Sequence, residues 1–307
     1  MDQENGSLLM AVDCVKSDHT KIKNAVSVAT ALSTQMGLLP RAVTIISPKL
    51  FNWPFDFDNG FKAAFINFGE DSLDGLFKES NASFYTDVVY QEQSSQSESI
   101  ISLLDLAKEK NASAIAVFTN ARSGHAFTTP GSFISTLISQ SSIPVLVINS
   151  ESKVTPLIKT ILLATDFSDE SENTAKEAIN LTLKLKAKLI IVHVLPTIPR
   201  ETLLASSAMA AGIATAGDFL FNHEELLKAK GQFLLEQAEK KGVQAEFNLL
   251  HSSYAIAETL LESAANQHAD LMVLTERTGP WETLLLGSVT RHILSETKLP
   301  ILVFNKL

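Results

Sequence analysis

Two Gly-Ser pairs stand in corresponding places in the two halves of the chain, Gly131-Ser132 and Gly287-Ser288. Each precedes a run with helical periodicity and then a proline-led apolar segment, IPVLVIN (143–149) or LPILVFN (299–305). A helix that opens on such a pair leaves backbone N–H groups free, and with the helix dipole these favour an anion. The pair also has a purely structural use, as an N-cap with close packing of helix on strand. Asp13 and Asp166 are a second matched set, each closing a short apolar run, LLMAVD (8–13) and ILLATD (161–166). An aspartate at a strand end turns the chain or meets a ligand.

Other chemistry is not evident. Cys14 is the single cysteine, so no internal disulfide forms, and a lone thiol beside Asp13 reads as a small core residue. His193 lies inside an apolar run and reads as a satisfied core histidine. No Cys/His cluster suggests a structural metal, and GxGxxG, GxxxxGK[ST], HExxH and GxSxG are all missing from the sequence. No nucleophile–base pair follows from the spacing, so no enzyme is expected.

The elements that position these residues come in two sets. The Asp-ended runs, the Gly-Ser pairs and the proline-led runs recur in one order at nearly one spacing. In the second half, strands are expected at 159–165, 188–195, 244–250, 270–274 and 300–304. Helices are expected between them, near 168–185, 224–241, 255–267 and 287–295. The first half follows the same order, with strands near 8–12, 42–46, 83–89, 114–118 and 145–148. Its stretch 47–81, rich in Phe, Asp, Asn and Gly, reads as irregular. Continuously apolar strands alternating with helices predict an α/β fold with parallel sheets covered on both faces. The expected domains are 1–150 and 156–307, joined by the polar hinge at 150–156.

The chain has 307 residues, which fits two cores of that size, and both halves share in a net charge of -9. Without clustered Lys and Arg, no nucleic-acid partner is expected. Residues 1–7 are polar and acidic, unlike a signal peptide. The apolar stretch 203–221 is interrupted by Ser206, Ser207, Thr215 and Asp218, and reads as a buried or amphipathic helix rather than a membrane span. A cytoplasmic location is the expectation.

The second half resembles a universal stress protein domain over nearly its whole length, through ILLATDFSDES (161–171), IIVHVLP (190–196), ADLMVL (269–274), LLLGSVTRHIL (284–294) and LPILVF (299–304). The first half is similar through LMAVD (9–13), ASAIAVF (112–118), PGSF (130–133) and IPVLVI (143–148). The resemblance implies two tandem, open five-stranded parallel sheets flanked by helices, Rossmann-like and related by a pseudo-twofold axis. It also implies pairing of the two proline-led strands within the chain, with a homodimer as a further partner state.

In the family, ATP is the cofactor class, and its binding members carry Gly-x-x-Gly, nine residues, then Gly-Ser or Gly-Thr. The first-strand Asp and the backbone after the second strand meet the adenosine, and the Gly-Ser-Val segment meets phosphate. Carried over, the resemblance implies cofactor contacts at Asp166, Val194, Thr275, Arg277, Gly287, Ser288 and Val289, with weaker counterparts at Asp13, Gly131 and Ser132. The glycine turn itself does not carry over. Counting back from Gly287 reaches Leu274 and Arg277, a one-residue shift reaches Thr275 and Thr278, and in the first half the count reaches Phe118 and Ala121. The first functional expectation is therefore a stress-response ligand-binding or scaffold protein with weak, altered or absent nucleotide binding. The second is an ATP-binding protein, or a slow ATPase, in which Arg277 replaces glycine. The apolar segments 51–68 and 203–221 either complete the two cores or meet an apolar ligand.

Overall fold

The structure is a computed structural model that describes residues 6–48, 59–78, 84–92, 95–120, 132–153, 157–197, 213–252, 255–276 and 287–305. The chain divides into two compact units, residues 1–158 with 276–306, and residues 159–275 with residue 307.

The first unit runs β1 (Ser7–Ala11), α1 (His19–Gln35), β2 (Leu39–Ile46), α2 (Asn59–Phe77), β3 (Tyr85–Tyr90), α3 (Gln96–Glu109), β4 (Ala112–Thr119), α4 (Ser132–Gln140) and β5 (Val145–Asn149). From the end of the chain it takes α8 (Ser288–Glu296) and β10 (Ile301–Phe304). Its strands β3-β2-β1-β4-β5 are parallel in that order. The two proline-led runs pair as expected: β10 lies antiparallel to β5, with Val303 opposite Val145 and Ile301 opposite Val147. Polar side chains set the helix starts. Asp18 caps α1 by accepting from the amides of Thr20 and Lys21 at 3.0 Å. Ser95 and Glu98 form a reciprocal capping box on α3.

One expectation for this unit fails. The stretch read as irregular contains the helix α2. Its Gly, Asn and Asp residues lower local helix propensity, but Phe65, Leu73, Leu76 and Phe77 are all buried, and burial of one apolar face overrides propensity. Residues 49–58 and 79–81 of that stretch lie outside the described residues.

The second unit runs β6 (Thr160–Ala164), α5 (Asp169–Leu185), β7 (Lys188–Pro196), α6 (Ile213–Lys240), β8 (Gln244–Ser252), α7 (Ile256–Asn266) and β9 (Leu271–Thr275). Its strands are parallel in the order β8-β7-β6-β9. Ser168 caps α5, and Asp169, Glu170 and Glu172 in the first turn complement the helix dipole. Of the segment 203–221, the part from Ile213 belongs to α6, and the remainder lies outside the described residues.

A second repeat, unseen in the sequence, connects the two α/β patterns. In the first unit α2 approaches the sheet at Gly69, where a Cβ would lie 2.7 Å from Ile46 and 2.8 Å from Val88. In the second, α6 approaches at Gly231, where a Cβ would overlap the ring of Phe247. Val88 pairs with Thr44 and Phe247 with Ile191, so the two contacts fall at the fourth residue of the third strand in each set. Glycine brings the helix backbone onto the strand in both cases. Among the described residues, no helix is long and apolar enough to cross a membrane.

Candidate functional site

The carboxyl edge of the second sheet carries three of the expected site residues. Register pairs Ala164 with Val192 and Leu163 with Val273, which sets the ends of β6, β7 and β9 side by side. Asp166, Val194 and Thr275 follow along that edge. Asp166 is exposed, and its Oδ1 accepts from the amide and hydroxyl of Ser168 at 3.0 and 2.6 Å. Val194 is buried. In the first unit Asp13 has the matching local role, accepting from the amides of Val15 and Lys16. Both aspartates therefore turn the chain between strand and helix.

The remaining expected residues lie elsewhere. Gly287, Ser288 and Val289 belong to the first unit, where Gly287 is the N-cap of α8 and its carbonyl accepts from Arg291 N at 2.9 Å. Among the described residues no side chain caps that helix, and Ser288 is exposed. Ser132 is the first residue of α4. Gly131 and Arg277 lie outside the described residues.

Two features escaped the sequence. The first is Glu276, directly after β9. Only 5% of it is exposed, its amide donates to the carbonyl of Phe304 at 2.8 Å, and its Oε1 has no hydrogen-bond partner among the described residues. Burial pushes its carboxyl above the usual range, and a hydrogen bond from Ser139 opposes this. The preceding Thr275 hydroxyl is likewise buried without a partner among the described residues. A charged residue ending an apolar strand was the available signal.

The second feature is the loop after β6. Phe167 is 8% exposed and adopts the left-handed backbone conformation, φ 57°, unusual for an aromatic residue. Its ring stacks on His193 at 5.0 Å and meets Phe247 edge-on at 5.9 Å. Its amide donates to Thr165 Oγ1 at 3.1 Å, and its carbonyl accepts from Lys230 Nζ, also at 3.1 Å. His193 Nδ1 donates to the carbonyl of Thr165 at 2.8 Å, so the ring has a backbone partner, but it is half-buried and not in the core. Burial holds His193 below its ordinary pKa, so the neutral ring is favoured. In the first unit the residue after the aspartate is Cys14, whose thiol burial pushes up to about 11.

Comparison with known proteins places this arrangement. A model of the universal stress protein family matches residues 157–305. The universal stress protein MJ0531 of Methanocaldococcus jannaschii is 32% identical over 156 residues, 49% of this chain and 84% of that protein. The chain belongs to the universal stress protein family. A universal stress protein from Thermus aquaticus is 31% identical over 48% of this chain and 98% of its own length. Among solved structures, a universal stress protein from Archaeoglobus fulgidus superposes with a TM-score of 0.66 at 13% identity, covering 98% of this chain and 97% of that one. A functionally unknown protein from Pseudomonas aeruginosa gives a TM-score of 0.57 over 99% of this chain. Both of these structural neighbours share the fold across nearly the full length, whereas the two quoted sequence relatives are matched over about half of it.

Proposed function

We propose that this universal stress protein serves the stress response as a tandem ligand-binding or scaffold protein in which nucleotide binding is weak, altered or absent. Family membership supports the stress-response part. The observation that carries the rest is Glu276. A phosphate-binding turn works by presenting unpaired amides with no side chain in the way. At Glu276 the amide is already committed to Phe304, and the side chain is a buried carboxyl whose ionised form would repel phosphate. These residues do not fit the glycine turn that ATP-binding relatives use.

One observation favours the second reading, an ATP-binding protein. Among the described residues no side chain caps the amides opening α8 at Gly287, and such amides favour an anion. Calorimetric titration with ATP and Mg²⁺, alongside Gly287→Val, separates the two readings. The expected result is no binding tighter than about 100 μM, equivalent to about 5.5 kcal/mol. Tighter binding that a folded Gly287→Val variant abolishes overturns it.

A further inference from the structure

Two buried oxygens in the first unit have no hydrogen-bond partner among the described residues. One is Glu276 Oε1, on a residue only 5% exposed, and the other is Asn305 Oδ1. Three contacts bring these side chains to one place. The Glu276 amide donates to the carbonyl of Phe304 at 2.8 Å, which sets Glu276 beside Asn305, the next residue along. Ser139, in the last turn of α4, hydrogen-bonds the Glu276 carboxyl. Asn305 Nδ2 donates to the carbonyl of Ser141, just beyond that helix. All of these residues belong to the first unit.

An amide oxygen and a carboxylate oxygen are both acceptors, so neither can satisfy the other, and burial makes both vacancies costly. One proton on the carboxyl meets both needs, because the acid becomes a donor and the amide oxygen accepts. The surroundings favour that form. The C-terminal pole of α4 disfavours an anion beside it. The elements α4, β5, β9 and β10 contain no charged side chain, and no charge on α8, where Arg291, His292 and Glu296 stand, contributes to the ionisation of Glu276. Burial therefore acts on the carboxyl without an ionic partner to offset it.

We propose that Glu276 and Asn305 form a proton-operated latch, in which the acid O–H donates to Asn305 Oδ1 and ties the residue after β9 to the residue after β10. Loss of the proton leaves two acceptors facing each other and opens the tie. The latch is closed in acid and released as pH rises, so the end of β10 registers acidification directly.

Carbon-13 NMR of the Glu276 carboxyl in the full chain, assigned by its loss in Glu276→Gln, measures the proton affinity. A titration midpoint above the ordinary 4.5 is expected. Asn305→Leu keeps the volume but offers no acceptor, and lowers that affinity about tenfold. Burial alone predicts no change or the reverse, because leucine makes the surroundings less polar. Amide exchange at residue 276, corrected for its intrinsic pH dependence, reports the tie itself. Protection falls about tenfold as the parent carboxyl titrates and stays constant in Glu276→Gln, whose amide remains a donor at every pH. If Asn305→Leu does not fold, that comparison decides alone. A midpoint at or below the ordinary value, an affinity unchanged or raised in Asn305→Leu, a loss of affinity in Ser139→Ala instead, or pH-independent protection in the parent would each overturn the proposal. So would a carboxyl that stays ionised and gains stability from K⁺ over tetramethylammonium at equal ionic strength, the mark of a bound cation.

Discussion

Gly231 on α6 lies against the ring of Phe247 on β8, at a separation that admits no methyl group on the helix. Phe247 in turn stands edge-on to Phe167, and Phe167 stacks on His193. The position of the loop after Asp166 thus depends on one missing side chain some way along another helix.

Gly231→Ala tests that dependence. Alanine is the better helix former by about 1 kcal/mol, so propensity alone predicts stabilisation. Overpacking against the Phe247 ring outweighs it, and a net loss of about 1–2 kcal/mol is expected. Gly75→Ala, at a position where a Cβ meets nothing within 4 Å, gains about 0.5 kcal/mol. Urea denaturation of the two variants distinguishes packing from propensity, and similar shifts for both would contradict the close approach.

His193 gives the stability a pH dependence. Its folded pKa lies below the ordinary 6.5, so the unfolded chain takes up the proton first as the solution is acidified. The contribution is complete above that unfolded value and is lost as pH falls from there through the lower folded one. His193→Gln keeps a donor for the Thr165 carbonyl and removes the titration. Between about pH 8 and pH 5.5, its urea midpoint changes less than that of the parent.

Glu276 acts in the opposite sense. Its folded pKa is raised above 4.5, so the fold favours the protonated acid. That contribution is complete below the unfolded value and is lost as pH rises through the folded one. Glu276→Gln therefore stabilises at neutral pH, by on the order of 1 kcal/mol, and the advantage vanishes near pH 4. A variant less stable than the parent at pH 7 would show that the carboxylate has an ionic partner.

Asn24 holds the segment that follows β5. Its Nδ2 donates to the carbonyls of Ser150 and Ser152 at 2.6 and 2.9 Å, and both serines are buried. Asn24→Ala leaves two buried acceptors unmatched, at a cost of about 1–3 kcal/mol. Asn24→Asp costs at least as much, because it brings a carboxylate to two carbonyls. Equal thermal midpoints for parent and both variants would remove the segment's anchor.

The sequence carried the strands well because each is a continuous apolar run, and β6 through β10 fall within a residue or two of their expected places. The Asp-ended and proline-led landmarks were legible for the same reason. The helix α2 was not, since Gly69 and Gly75 look like breakers until the packing shows that Gly69 is needed at the strand. The aromatic set of Phe167, His193 and Phe247 was also hidden. Its members lie on three segments, and nothing local to Phe167 announces a left-handed backbone. Glu276 was passed over because the count for missing glycines reached positions 274, 275, 277 and 278 and not the residue between them.

The strand that borders β5 is made long after β5 itself. During synthesis, β1 to β5 leave the ribosome with one edge bare, and the whole of residues 159–275 must emerge before β10 arrives to close it. Bare strand edges invite intermolecular pairing. The nascent first unit is therefore the stage most open to pairing between chains, and a stop codon placed before Ile301 would convert that passing exposure into a permanent one.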